Sequence, residues 1–425
     1  MKSVTLFLGT LLLLTITLHE LKGQQEISLE QCYEWAEENY PLVKQKALNE
    51  QYTQIQLDII EAGKKPTVSW NAQANIQSEA LEINFPFPGV EGIELPIYRA
   101  QTTLDAGYLL YDGGLREAKK AVERSSLATS NQAVEVELYQ IKDRIDQYFW
   151  GLVLLEVQDS ILINAEQTLS TKMQSLEAAV EHGVVLPSQL KKLEVEKLKL
   201  EAQRESAAGK RNSLLALLSE ATGQEINFPI SLIVPDLTSE VLTTTLERPE
   251  QALFDFQKQQ ILSNNAMLEA KKKPKVSAFL QAGVGYPNPL NFVEDEISPF
   301  AIGGVKFSWN ILDWGITDKQ KQALQLQAMM VDTKKETFEF NLNALNGKYQ
   351  EDIAALEKQL EKDKAILQLQ EDILNDYSAQ LDNGVITATD YTTQLNEGVR
   401  AQLQLQMHQL QIQQLKSEYL TKMGR

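Results

Sequence analysis

One cysteine, Cys32, and three histidines are all that 425 residues offer to thiol or imidazole chemistry. A lone cysteine forms no intrachain disulfide, so no covalent staple is expected even in an oxidising compartment. Of the histidines, His19 belongs to the N-terminal apolar segment, while His182 and His408 lie in or beside glutamine-rich helical sequence. Neither a zinc ligand set nor a nucleophile with its base can be assembled from them. The "DGG" at 112–114 is not followed by the Gly-Lys-Ser/Thr that a phosphate loop needs. The expectation is a protein that is not an enzyme and holds no cofactor or metal. Positive charge is also scarce. Against 58 Asp and Glu stand 40 Lys and Arg, a net charge of −18, so there is no basic face to engage nucleic acid. Nor does any segment after Gly23 approach the run of about 20 apolar residues that a membrane-spanning helix needs.

The N-terminus is apolar enough to matter. Lys2 precedes "VTLFLGTLLLLTITL" (Val4 to Leu18), and "HELKGQQ" follows. A charged start, an apolar run of about 15 residues and a small residue at its end describe a secretory signal peptide, residues 1–23, cleaved after Gly23. A retained anchor is the alternative. Removing Lys2, Glu20 and Lys22 takes the charge from −18 to −19. Cys32 then reads as a small buried apolar residue.

The rest of the chain repeats itself. Pro41 aligns with Pro249 and Pro66 with Pro274, at an offset of 208; Asp112 aligns with Asp313 and Gly183 with Gly384, at 201. "EHGVVLPSQL" at 181–190 faces "LDNGVITATDY" at 381–391, and Thr222-Gly223 faces Met423-Gly424. The halves differ in length only between the second Pro and the Asp, where an exposed loop is expected.

Within that interval lie four segments of alternating polarity. "VSWNAQANIQ" puts Val68, Trp70, Ala72, Ala74 and Ile76 on one face, and "AQTTLDAGYLL" puts Leu104, Ala106, Tyr108 and Leu110 opposite Gln101, Thr103 and Asp105. In the second half Val276, Ala278, Leu280, Ala282 and Val284 share a face, as do Val305, Phe307, Trp309 and Ile311. Period-two patterning describes strands with one apolar surface. At about 10 residues each they can cross a bilayer when tilted. No further sheet is available to cover them as in a soluble sandwich. Four strands cannot close on themselves, and an open edge in lipid would leave backbone groups unpaired. Several chains must therefore pool their strands into one barrel.

The junctions follow from local chemistry. Pro66 and Pro274 force the residue before them out of helical geometry. Asp112 and Asp313, with Gly114 and Gly315, suit the sharp turn from strand to helix, aspartate accepting the free amides of a first helical turn. From Gly114 to Gly183 is 69 residues, about 100 Å of helix at about 1.5 Å per residue. The return path through Gly223 and then Pro249–Pro274 has nearly the same length. The expected organisation is a first repeat at 24–223, with a β-hairpin at about 67–111 and a helical tip near 183. A linker follows at 224–248, then a second repeat at 249–425 with its hairpin at about 275–311 and its tip near 384. The segment "QLQLQMHQLQIQQL" at 402–415 alternates like a strand. Leu405, Ile412 and Tyr419 nevertheless recur every seven residues, so it is read as coiled-coil helix.

Together, "NYPLVKQKALNEQYTQIQLDIIEAGKKPTVS", the "YDGG" and "LDWG" junctions, the "HGVV" and "NGVI" tips and "LLALLSEATG" resemble the TolC family of outer-membrane efflux proteins across essentially the whole mature chain. The resemblance implies a mostly α fold with a small β part: long helical hairpins forming a periplasmic coiled-coil tunnel, and two β-hairpins given to an oligomeric transmembrane barrel. It implies a homotrimer with twelve strands in outer-membrane lipid, working with a periplasmic adaptor (membrane fusion) protein and an inner-membrane transporter. The same resemblance puts the adaptor contact at Gly183, Val184, Val185, Asn383, Gly384, Val385 and Ile386, whose apolar side chains are expected in solvent. It also implies an acidic pore constriction near Asp390. Thr393 stands where a second acid belongs, and Gln189 is the first-half counterpart of Asp390. An adaptor would carry one helical hairpin between β-domains and a coiled-coil scaffold no alternating strands. Both remain rival readings.

Overall fold

The computed structural model describes residues 25–83, 89, 92–237, 247–291 and 296–424. The expected signal peptide at 1–23 lies outside the described residues. In chain order the elements are β1 (Gln25–Ser28), α1 (Leu29–Asn39), α2 (Lys44–Ala62), β2 (Thr67–Ile76), β3 (Glu82–Ile83), β4 (Ile93–Glu94), β5 (Tyr98–Tyr111), α3 (Leu115–Glu181), α4 (Pro187–Thr222), β6 (Ile230–Ile233), α5 (Pro249–Lys272), β7 (Lys275–Tyr286), β8 (Ser298–Ser308), α6 (Ile316–Asp382) and α7 (Ala388–Met423). The α3 and α6 helices each have 67 residues, and α4 and α7 each have 36. Leu115 and Ile316, Glu181 and Asp382, Pro187 and Ala388, and Thr222 and Met423 all stand 201 residues apart. The segment at 402–415 is helix, and Leu405, Ile412 and Tyr419 are buried along it, so the seven-residue spacing outranks the alternation.

Two compact units divide the chain. One comprises residues 41–140, 243–350 and 419–425 and carries the four-stranded antiparallel sheet, in the order β2-β5-β7-β8. Here α2 lies along the first part of α3 and α5 along the first part of α6, with matching ion pairs: Lys120 to Glu61, and Lys321 to Glu269. Pro274 follows directly on Lys273, the extended cap of α5, whereas α2 already stops at Ala62, ahead of Pro66; β2 and β7 begin at the residue after each proline. Trp309 and Ile311 were expected to continue the last strand, but β8 ends at Ser308. Trp309 instead donates its indole N–H to the Lys272 carbonyl at 3.0 Å, and that bond takes the chain off the ladder.

The other unit takes the described residues within 25–40, 141–237 and 351–418. It opens with an element that the periodicity did not reveal. Gln25–Ser28 pairs in parallel with Ile230–Ile233, and Ser28 then starts α1 through a capping box with Gln31. Buried Ile27, Leu29, Cys32 and Ala36 anchor this segment. Farther along, Leu162, Leu169, Leu176, Leu193, Leu200, Leu381, Tyr391 and Leu395 form one core from all four long helices.

Candidate functional site

Two places carry the expected site residues, the strand–helix junctions and the helical tips with the constriction residues beside them; the sheet is a third place of interest. At the first junction, Asp112 Oδ1 accepts the Gly114 amide at 2.9 Å, and Oδ2 accepts both the amide (3.1 Å) and Nε (2.8 Å) of Arg116. Asp313 does the same with Gly315 N at 3.0 Å and with the Thr317 amide and hydroxyl at 3.2 and 2.6 Å. Each aspartate thus caps its helix from ahead of the first helical residue, across a left-handed turn. That turn is Gly113-Gly114 in one half (φ 71° and 86°) and Trp314-Gly315 in the other (φ 54° and 75°). The difference has a steric cause. A Cβ at Gly113 would lie 2.7 Å from the Lys273 Cβ, whereas Trp314 is 84% exposed. Burial pushes the Asp112 carboxyl up, but the Gly114 and Arg116 amides and the Arg116 guanidinium outweigh it and hold the group below the usual carboxylate range. For Asp313 the Thr317 hydroxyl and amide dominate, with the same direction.

At the tips, Gly183 (φ 72°) and Gly384 (φ 70°) end α3 and α6 in the left-handed conformation. Val184 N bonds Ala179 O and Val385 N bonds Gln380 O, both at 2.9 Å, while the glycine amides bond Val180 O and Leu381 O. This is a Schellman closure made twice. Val184 and Val385 are fully in solvent, at 72% and 70% exposure. Val185 and Ile386 are not: both turn inward and pack on the leucine core, a correction to the expectation that all four were exposed. Sequence pattern could not separate them, because a five-residue turn has no period. Asn383 donates Nδ2 to the Ala379 carbonyl at 2.8 Å and stays exposed.

The residues expected at a constriction meet here too. Asp390 Oδ2 accepts the amide and hydroxyl of Thr387 at 2.9 and 2.7 Å, and the Asp390 amide donates back to Thr387 Oγ1 at 3.3 Å. Asp390 is therefore the acidic half of a capping box on α7, and those Thr387 donors hold its carboxyl below the ordinary range. Gln189 reaches from α4 and accepts the Ala388 amide at 2.9 Å, so it caps the same helix. Thr393 bonds the Thr389 carbonyl at 2.8 Å and remains exposed. Sequence reasoning missed Lys172. It is 9% exposed, holds both Asp382 carboxylate oxygens at 2.9 Å and lies 5.6 Å from the Tyr391 ring centroid. It joins α3 to α6, and partners 210 residues apart leave no local signal.

Among the described residues, no element lies over the apolar surface of the sheet. Every residue of β2 is exposed, among them Trp70 and Ile76 at 75% and 80%. Register places Trp70 opposite Leu104, and Leu104 opposite Ala282, on that surface. On the other surface Asp105 accepts Asn71 Nδ2, Thr103 Oγ1 and Gln281 Nε2, a network across β2, β5 and β7. The outer edges of β2 and β8 carry no described strand. No helix among the described residues is long and apolar enough to cross a membrane.

No family model and no curated protein matches the sequence. Solved structures do. The outer membrane protein VceC of Vibrio cholerae aligns at a TM-score of 0.63 with 14% identity, covering 93% of this chain and 96% of that one. The CmeC outer membrane channel of Campylobacter jejuni aligns at 0.60 with 14% identity, covering 93% and 85%. The open state of the MtrE outer membrane channel of Neisseria gonorrhoeae aligns at 0.61 with 15% identity, covering 93% and 88%. Uncovered apolar strands, paired 67-residue helices and these alignments agree: this chain has the fold of the TolC-type outer membrane channels.

Proposed function

We propose that the chain is the outer-membrane channel subunit of a tripartite efflux or type I secretion assembly. It would conduct cargo passively from an inner-membrane pump and its periplasmic adaptor across the periplasm and outer membrane. The observation that carries this reading is the sheet: four strands with two open edges and an uncovered apolar face satisfy their backbone in lipid only if copies close a barrel. Three copies supply twelve strands, with the Asp105 face toward the lumen.

The flanking helices support the same closure. The edge strand β2 is entered from α2, whose Leu48, Tyr52, Ile55 and Ile59 form an exposed stripe. The opposite edge strand, β8, is followed by α6, which exposes Leu326, Met329, Met330 and Phe340. Pairing β2 of one copy with β8 of the next brings the two stripes together, and burying them contributes about 25 cal/mol per Å² removed from water. At the other ends of the long helices, the paired tips present Val184 and Val385 to an adaptor, the kind of exposed apolar position that marks an interaction site.

The test is to express the full chain in an outer membrane, extract it with detergent and reconstitute it. The expected result is a heat-modifiable trimer that conducts in planar bilayers. A monomer that stays in solution without detergent refutes the proposal.

A further inference from the structure

The sheet end farthest from the helix junctions holds a cavity of about 420 Å³. Its floor is the hydrophilic surface of the first hairpin, Gln73 and Asn75 on β2 with Arg99 and Gln101 on β5. Its cover comes from Leu81, Ile83 and Leu95, which lie in and beside the small β3–β4 ladder; Leu95 is 4% exposed and donates its amide to the Leu81 carbonyl at 2.9 Å. One wall is the turn after β7, with Asn288 at 9% exposure. Pro289 stands over that same hydrophilic surface, since a Cβ at Gly285 would lie 2.7 Å from its Cδ.

Among the described residues lining this space, Arg99 is the one that carries a charge. Its Nε is buried with no hydrogen-bond partner, and the guanidinium forms no ion pair with any described carboxylate. A guanidinium Nε withdrawn from water without an acceptor is costly, and an anionic oxygen is its natural complement. Around it stand four amide side chains able to orient such a group, then an apolar cover of leucine, isoleucine and proline. The volume falls within the range of small-molecule sites. An inorganic ion would leave the apolar cover unused, and an uncharged apolar molecule would leave the guanidinium unsatisfied.

We propose that this cavity is a binding site for an organic anion: a carboxylate, sulfonate or phosphate monoester on a hydrophobic body, with the anionic oxygens on Arg99 and the body under Leu81, Ile83 and Leu95. The site stands on the cavity alone, whereas its placement at the outer mouth of a lumen rests on the channel reading above. In that placement, three guanidiniums per trimer ring the mouth, and a bound anion narrows it.

Pyrene-1-sulfonate is a suitable probe, with pyrenylmethylammonium as the cation of matched shape. Equilibrium dialysis of the detergent-solubilised full chain reads the site without requiring conduction, because micelles take up equal dye whichever variant they hold. Saturable binding of one sulfonate per chain is expected, weakened at least about tenfold in Arg99→Gln, largely retained in Arg99→Lys, and absent for the ammonium. Leu95→Ala, which keeps the charge, should also weaken it. Planar bilayers then report the placement: sulfonate added on the outer-mouth side of the channel should reduce single-channel current in the wild type and not in Arg99→Gln. Equal dialysis binding to wild type and Arg99→Gln, or equal binding of sulfonate and ammonium, overturns the site. Arg99-dependent binding with no conductance at all leaves the site standing and removes the channel reading instead.

Discussion

Replacing Asp112 with alanine removes three accepted hydrogen bonds at once, from the Gly114 amide, the Arg116 amide and the Arg116 guanidinium. Losing an aspartate cap costs about 1 kcal/mol. The bond to a charged donor adds about 1.5–3 kcal/mol, because Asp112 is 7% exposed and Arg116 is left half-buried without its counter-charge. The sum is about 3 kcal/mol per chain. Asp112→Asn keeps an acceptor oxygen and should lose less. Asp313→Ala should also lose less, because that junction stands nearer to solvent and Thr317 can return its hydroxyl to water. The assay is the temperature at which the detergent-solubilised oligomer dissociates on a semi-native gel, together with hydrogen exchange at residues 114–118. The pH dependence has a definite sign. The folded carboxyl is held below its ordinary range, so its contribution is fully present above the unfolded value of about 3.9 and fades as pH falls below it. The gap between wild type and Asp112→Ala should thus be constant from about pH 5 to 8 and shrink only below about pH 4. Equal losses in Asp112→Ala and Asp313→Ala, or unchanged exchange at 114–118, would refute this account of the junction.

Gly384→Pro cannot hold the φ of 70° that the tip needs, and Val385→Asp charges its apolar end; each should abolish export while trimers persist in the membrane, as read by drug susceptibility and a gel. Asp390→Ala and Asp390→Asn separate two roles of one residue. If a carboxylate ring narrows the pore, both should raise conductance or weaken divalent-cation block, whereas a capping role alone predicts a loss confined to the alanine variant and visible only in stability. Gln189→Leu strips the acceptor from the buried Ala388 amide and should cost about 1–2 kcal/mol, seen as exchange at that amide faster by about tenfold; unchanged exchange counts against the bond. Cys32 is fully buried and its thiol is pushed up to about 12, chiefly by burial and then by Glu30, so maleimide should label it only after denaturation. Rapid labelling of the native protein would place α1 elsewhere.

The local grammar of this chain was legible because its causes are local. Pro66 and Pro274 bar a helix from running through the residue before them, Gly183 and Gly384 end helices by accepting a left-handed turn, and Leu405, Ile412 and Tyr419 declare a helix by recurring every seven residues. Each involves neighbours a few positions apart, so the order of residues determined the strands, the long helices and the tips. It could not determine Lys172 on Asp382, Gln189 on the Ala388 amide, or the ladder between Gln25–Ser28 and Ile230–Ile233. Those partners lie about 200 residues apart, and a lysine or glutamine looks alike on a solvated face and in a buried contact. The inward turn of Val185 and Ile386, the Arg99 guanidinium without an ion pair among the described residues, and the cavity around it have the same origin: the packing of distant segments, decided only when the chain had folded.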